Sequence, residues 1–437
     1  MRRAFATRGF GRLFAGLTAS MLGDSLMLIV LSMWVKSLTG SNGAAGLTFL
    51  WLTAPALMAP LFGYVVDRVP RRTFLVVANL LSAAALLPLL AVRDAGDVWI
   101  VYSVAFLYGI SFVVVPAALN GLLKDLLAED VLVEANAAMS VTREALRLVG
   151  PLAGASLFAL TGGGQVVAMI DAASFLVAAA AVGGLALIEP VRTHTPMHWR
   201  AEVSAGVRHI RRTPLLLHPT VALALCLLVL GFSESCVYAV LDAFGKPLAV
   251  VGPLLTIQGV GAVASGLLSS RIIKRVGEPR AIIGGLVVLA AGLAGIVAAQ
   301  AFWQVLVATV VLGSGIPVLI VAYNTLLQKR TPGELMGRVS TATEVLVTTP
   351  QAVSIATGAL LVTLLDYRVI FAVMTLGCLG AAAYLRLALR GRPECPAEGC
   401  PADSPAEEAA DLIPGSVLPE TGPGVATDPV GSPLVSG

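Results

Sequence analysis

Three carboxylates stand in this sequence where water should be scarce. Asp24 falls midway along an apolar run at residues 12–35, twelve residues from both Arg12 and Lys36. Neither polar surface is within reach of its side chain. Glu234 lies within the run 216–241, and Asp171 within the run 165–188. A carboxylate in hydrocarbon costs about 2.5–3.5 kcal/mol, so such groups face a cavity or a partner. A carboxyl group so placed could take up and release a proton near neutral pH. For Asp24 that makes proton or substrate coupling the expected role, against a structural hydrogen-bonded aspartate that positions its helix. Glu234 is expected to face Asp24 across a shared cavity; its alternative is a vestibule residue near Asp242. Asp171 is a further candidate for the cavity or gate, with the simpler alternative of bonding to Ser174 and neighbouring helices.

A second dense region is NAAMSVTREALRLVGPLAG, Asn136 to Gly154. Asn136, Ser140, Arg143, Arg147, Gly150 and Gly154 recur at helical spacing and form one stripe. Glu144 can pair with Arg147 at i, i+3. Arg143, Glu144 and Arg147 are candidates for a cavity wall or gate, with an arginine available to anchor an anionic group. Gly150, Pro151 and Gly154 offer close helix packing and a bend.

These residues need a membrane to give them meaning, and the composition supplies it. The chain is 57% hydrophobic and only 13% charged, against about 25% charged in soluble domains. Spanning a bilayer takes about 20 apolar residues, and in lipid the backbone must satisfy itself in helices. Twelve spans are expected, near residues 12–35, 44–66, 73–92, 98–122, 138–160, 165–188, 216–241, 248–271, 280–299, 302–326, 341–364 and 367–388. The fold class is therefore an all-α membrane protein. Asp24 interrupts the first run, which argues for a retained helix rather than a cleaved signal.

With the N-terminus in the cytoplasm, the outer loops hold only Lys36, Arg93, Lys246 and Arg368 of the 29 Lys and Arg residues. Arg143 and Arg147 fall in span 5, and the remainder lie inside. This positive-inside bias places the chain in the cytoplasmic membrane as a multi-pass protein with both termini cytoplasmic. The arginine-rich loops read as topology signals and lipid-headgroup contacts. Nucleic acid is not an expected partner.

Residues 189–215 form a polar central loop between two six-span halves, 1–188 and 216–390. Within it, Glu202 to Arg212 has the pattern of an amphipathic surface helix. The halves repeat at an offset of 204 residues: Gly109 matches Gly313, Asn120 matches Asn324, and Leu122-Leu123 matches Leu326-Leu327. Such long-period similarity predicts two related bundles with a site between them. Residues 391–437 are proline-rich and acidic, without Lys or Arg beyond Arg392, and are expected to be a disordered cytoplasmic tail.

Several motifs are discounted. Gly259, Gly261 and Gly266 follow no strand, so they are a packing face rather than a nucleotide loop. No Walker-type lysine motif occurs. His194 and His198 make too small a set for a metal, and the five cysteines show no metal-type or disulfide pattern. No cofactor, no metal and no catalytic nucleophile are expected.

The loop GYVVDRVPRR resembles the loop 2–3 signature of the major facilitator superfamily through Gly63, Asp67, Arg68, Arg71 and Arg72, with Pro70 where the family has glycine. The resemblance extends over residues 8 to about 390. It is nearest to the third family of drug:proton antiporters, the macrolide-efflux and enterobactin-exporter type. SMLGDSLMLIVLSMWV around Asp24, DAASF at Asp171–Phe175 and NTLLQKRTPGELMGRVSTATE carry that part. The Gly150-Pro151-x-x-Gly154 segment resembles the fifth-helix signature of proton antiporters. The resemblance implies two pseudo-symmetric six-helix bundles rocking about a midplane cavity, a conformational latch in the 63–72 loop, and a monomer. It implies export of an amphipathic small molecule, such as an antibiotic or siderophore, in exchange for protons. An uptake symporter, a lipid flippase or a non-transporting sensor would share the architecture. Span 4 lacks the arginine that many proton antiporters carry there, which shifts weight to Asp24.

Overall fold

The computed structural model describes residues 5, 7, 9–59, 62, 66, 69–127, 129–185, 199–332 and 335–390. Gly63, Asp67 and Arg68, His194 and His198, and the 391–437 tail lie outside the described residues.

Every described element is helical. The first half comprises α1 (Phe10–Thr39), α2 (Asn42–Thr53), α3 (Arg71–Leu86), α4 (Val98–Leu126), α5 (Glu129–Thr161) and α6 (Gln165–Gly183). A helix α7 (Trp199–Arg212) covers the expected amphipathic segment. The second half comprises α8 (Pro214–Leu230) with α9 (Ser233–Ala243), then α10 (Val251–Val276), α11 (Glu278–Ala298), α12 (Phe302–Arg330), α13 (Met336–Leu364) and α14 (Tyr367–Ala388). Ten of these segments, counting α8 and α9 as one, are long and apolar enough to cross a membrane. The other two expected spans are α2, which runs on as a 3-10 turn through Met58, and α5, whose charged first half lowers its hydropathy.

Local chemistry sets the ends. Gly40 adopts φ 67°, a left-handed backbone that stops α1 while its N–H donates to the Lys36 carbonyl at 2.8 Å. Ser41 caps α2 by accepting from Ala44 N at 3.2 Å. Arg12 donates to the Gly184 carbonyl at 3.1 Å and Arg72 to the Gly183 carbonyl. Two cations thus sit on the C-terminal carbonyls of α6, where the helix dipole is negative.

Span 7 runs from Pro214 to Ala243 as expected. Its two segments, α8 and α9, are joined by Gly231 and Phe232, which keep right-handed helical dihedrals, and the Gly231 N–H donates to the Leu227 carbonyl at 3.0 Å. Gly231 lies against the Gln351 carbonyl and Ser354 of α13, where a Cβ would have no room.

The helix contacts repeat with the sequence. In the first half α1 packs on α5 and α6, α3 on α4 and α6, and α2 on α4. In the second half α8 packs on α13 and α14, α11 on α12 and α14, and α10 on α12. Each pair recurs six spans later. Gly109 and Gly313, matched in the repeat, do the same work: a Cβ on Gly109 would collide with the Leu52 carbonyl of α2, and one on Gly313 with the Gln258 carbonyl of α10. Close approach of α4 and α12 to their neighbours requires glycine at both places.

The halves meet through α2 on α13 and α5 on α10, a symmetric pair of contacts, and through α9 on α2. One apolar cluster joins Met27, Val30, Val101 and Phe158 of the first half to Tyr238, Leu241 and Val251 of the second, at the end of the bundle that carries Lys36. A second cluster, toward the Arg71 end, draws on the first half alone, with Leu13, Leu75, Leu122 and Met139. Large exposed apolar side chains such as Trp99, Leu160, Leu267 and Leu376 form a lipid-facing surface.

Candidate functional site

Asp24 sits at the fifteenth position of the 30-residue α1, about 20 Å from either end at 1.5 Å per residue. It does not stand alone. The Tyr108 hydroxyl of α4 lies 2.6 Å from Asp24 Oδ1 and 2.8 Å from Asp171 Oδ2 of α6. Tyr108 and Asp171 are buried, whereas Asp24 is half-buried. Ser174 Oγ donates to the Asp171 carbonyl at 2.7 Å and lies 3.1 Å from its Oδ1. The expected Asp171–Ser174 contact is therefore present, but so is a link to Asp24. Sequence reasoning missed Tyr108, which looks like an ordinary aromatic in an apolar helix. The signal available was that two carboxylates in hydrocarbon each need a donor.

α5 brings the arginines alongside. Arg143 is the cation whose field reaches Asp24, and Arg147 the one whose field reaches Glu234. Arg143, Glu144 and Arg147 are all exposed at the helix surface. Glu234 lies in the first turn of α9, just past Gly231 and Phe232. Each carboxylate thus has its own arginine, an arrangement that single-helix periodicity could not foresee.

Below Arg143 opens a cavity of about 390 Å³ between α4 and α5. Leu123 and Met139 give it an apolar wall, while Asn120, Asn136, Ser140 and Arg143 give it polar groups. The upper part of the α5 stripe serves packing instead. A Cβ on Gly150 would meet Ser25 of α1, and one on Gly154 the Leu26 carbonyl. The neighbouring Leu148 carbonyl accepts from Thr256 Oγ1 of α10 at 3.0 Å, and Pro151 packs against Gly252. Gly150, Pro151 and Gly154 therefore wedge α5 between α1 and α10. Arg71 lies against Gly121 of α4, and Arg72 caps α6.

At the other end the halves are tied directly. Lys36 Nζ lies 2.7 Å from Asp242 Oδ2 and also donates to the Gly40 carbonyl at 2.9 Å. One turn nearer the centre, Ser32 Oγ donates to the Ile29 carbonyl at 2.9 Å. Its 2.5 Å contact with Tyr238 Oη therefore has the tyrosine as donor. Among the described residues no group of three or more His, Cys, Asp and Glu side chains is placed to hold a metal ion. Cys226, Cys236 and Cys378 are buried free thiols.

Comparison with known proteins gives the arrangement a context. The family profile described as Major Facilitator Superfamily matches residues 13–348 and 223–411. The chain is 25% identical over 273 residues to an uncharacterized MFS-type transporter, YfiS, of Bacillus subtilis strain 168; the match covers 60% of this chain and 64% of that relative. Among solved structures, a mutant form of the nucleoside transporter NupG superposes with a TM-score of 0.69 at 11% identity, covering 87% of this chain and 99% of that one. An inward-facing bacterial homologue of the iron transporter ferroportin also gives 0.69, at 15% identity over 87% of this chain and 98% of that one. The outward-facing form of such a homologue gives 0.59, at 17% identity over 87% of this chain and 99% of that one. At these identities the likeness concerns the fold.

Proposed function

We propose a proton-driven export function for this chain, which belongs to the Major Facilitator Superfamily and is a multi-pass membrane transporter. The substrate is an amphipathic small molecule of the antibiotic, drug or siderophore kind. The observation that carries the reading is Asp24 itself, a half-buried carboxylate at mid-membrane depth within the field of Arg143, a residue that lines the cavity. The cavity's Leu and Met wall suits an apolar body, and its amides, Ser140 and Arg143 suit a polar end. Exchange follows if substrate and proton compete for one carboxylate. Substrate occupancy displaces the proton from Asp24, and reprotonation from the opposite side expels the substrate and permits the return.

The positive-inside bias puts the Arg71 end in the cytoplasm, with both termini. The ties at Lys36 then close the outer side, and the cavity belongs to an inward-facing state. Rocking of residues 1–188 against 216–390, with 189–215 as the connector, alternates the two states. Gly63, Asp67, Arg68 and Arg71 are proposed as the inner latch; Arg72 serves it by holding α6.

The test is accumulation of a drug panel in an efflux-deficient bacterium, with and without the chain, before and after a protonophore. Lower accumulation that the protonophore abolishes supports export. Higher accumulation would assign uptake. An Asp24→Asn chain that keeps full pH-gradient-dependent transport would remove Asp24 from the coupling role.

A further inference from the structure

The Asp24–Tyr108–Asp171 contacts impose a count of protons. A phenolic hydroxyl has one hydrogen to donate and can accept others. Asp24 Oδ1 at 2.6 Å and Asp171 Oδ2 at 2.8 Å both lie within hydrogen-bonding distance of that one oxygen. If both aspartates were ionised, one of the two contacts would set lone pair against lone pair with no hydrogen between them. In a buried, low-dielectric setting that is costly. Ser174 does not relieve it, because its hydrogen goes to the Asp171 carbonyl at 2.7 Å and its contact with Oδ1 is longer.

We infer that Asp24, Tyr108 and Asp171 form a relay in which the two aspartates share one proton through the tyrosine hydroxyl, with Asp171 as the buried store and Asp24 as the exchanging end. In one form Asp171 Oδ2–H donates to Tyr108 Oη, whose hydrogen is donated to the Asp24 carboxylate. Transfer breaks the Asp171 O–H bond as a Tyr108 O–H bond forms, and breaks the original Tyr108 O–H bond as an Asp24 O–H bond forms. Asp171 becomes the carboxylate and Asp24 the acid; the tyrosine is unchanged and the total charge of the trio is conserved.

The surroundings isolate this unit. From α5 the facing cation is Arg143; Glu144 and Arg147 follow on the same helix, with the field of Arg147 falling on Glu234. α2 has no ionisable residue, α6 has only Asp171, and on α3 the ionisable groups are Arg71 and Arg72 in its first turn. Gly23, one residue before Asp24, has no room for a Cβ against Asp171 Oδ1 and Ser174 Oγ. Glycine there lets α1 approach α6 closely enough for one hydroxyl to bridge the pair. With one shared proton the trio carries a single negative charge opposite Arg143, so the ensemble is neutral. A second proton, or a bound cationic group, changes that balance.

The relay deepens the proton-coupling reading and rests on it for its use in transport, but its existence can be tested without transport. The measurement is infrared difference spectroscopy on the full chain in lipid nanodiscs, wild type against Tyr108→Phe, Asp24→Asn and Asp171→Asn. The expected result is a protonated-carboxyl C=O band at neutral pH that either asparagine variant removes and that Tyr108→Phe shifts, because its hydrogen bond is lost. Phenylalanine keeps the ring, so this variant remains informative if an asparagine variant fails to fold. Absence of the band in wild type, or a band unmoved in Tyr108→Phe, would overturn the relay. A band present while export ignores the protonophore sustains the relay and refutes the coupling. No band, with export that still needs a proton gradient and Asp24, refutes the relay alone.

Discussion

Glu234 and Asp24 are both carboxylates in apolar spans, yet their settings differ. Asp24 lies in the middle of an intact helix whose backbone amides are already used, so its partners are Tyr108 and the field of Arg143. Glu234 lies in the first turn of α9 within the field of Arg147, and among the described residues no hydroxyl bridges it to a second carboxylate as Tyr108 does for Asp24. A role in holding substrate fits Glu234 better than a role in coupling. Glu234→Gln is expected to raise KM about tenfold, roughly 1.4 kcal/mol of lost binding, while transport stays dependent on the proton gradient. Uptake kinetics in inverted vesicles over a substrate series, with and without a protonophore, would check it; loss of gradient dependence would return Glu234 to the coupling set. Asp24 was legible in the sequence because distance from both helix ends is a one-dimensional property. Tyr108 was not, since its role depends on three helices meeting, and nothing in VYSVAFLYGI marks which tyrosine faces the pair.

At the scale of elements, the fifth span shows how one stripe serves two tasks. Its lower residues line a cavity and its upper residues pack on two helices from different halves. Periodicity predicted the stripe but not the change of partner, because the change follows from where α1 and α10 converge. Gly150→Leu would drive a branched side chain into Ser25. The expected cost is about 1–3 kcal/mol of overpacking, with transport lost although the chain still inserts; thermal unfolding of the detergent-solubilised protein measures the first and flux the second. The Lys36–Asp242 tie acts between elements of different halves. Asp242 is 50% exposed, so the pair is worth only about 0.2–1 kcal/mol. Lys36→Ala should therefore shift the balance toward the form open at that end by about fivefold at most, read as faster thiol labelling of a cysteine placed at Ser32. Exchanging the charges, Lys36→Asp with Asp242→Lys, should restore the slow rate. An unrestored rate would mean that Lys36 acts through Gly40 rather than through Asp242.

Across the whole molecule, the 204-residue repeat was legible as scattered matches, and Gly109 and Gly313 show why those matches persist: both seat a helix on a neighbour's carbonyl. The close approach of Gly231 to α13 was not legible, because Gly231-Phe232 sits in an otherwise continuous apolar run and nothing in that run says which helix it meets. The symmetry of contacts has a mechanical consequence. α2 on α13 and α5 on α10 are related by the repeat, as the two sides of one hinge would be, and the ties from α1 to α9 lie at the Lys36 end. If the halves rock, the Lys36 end must part in every cycle. A chain with Lys36→Cys and Asp242→Cys, its native cysteines replaced, should be joined by a short bifunctional thiol-reactive cross-linker and lose transport fully upon joining. The same double variant treated with a monofunctional thiol reagent of similar size should retain most of its flux, which separates tethering from mere bulk. Continued transport by the joined chain would show that substrate passes without parting at that end. That result would refute rocking about the α2–α13 and α5–α10 contacts while leaving the proton relay untouched, since the relay lies wholly within the first six spans.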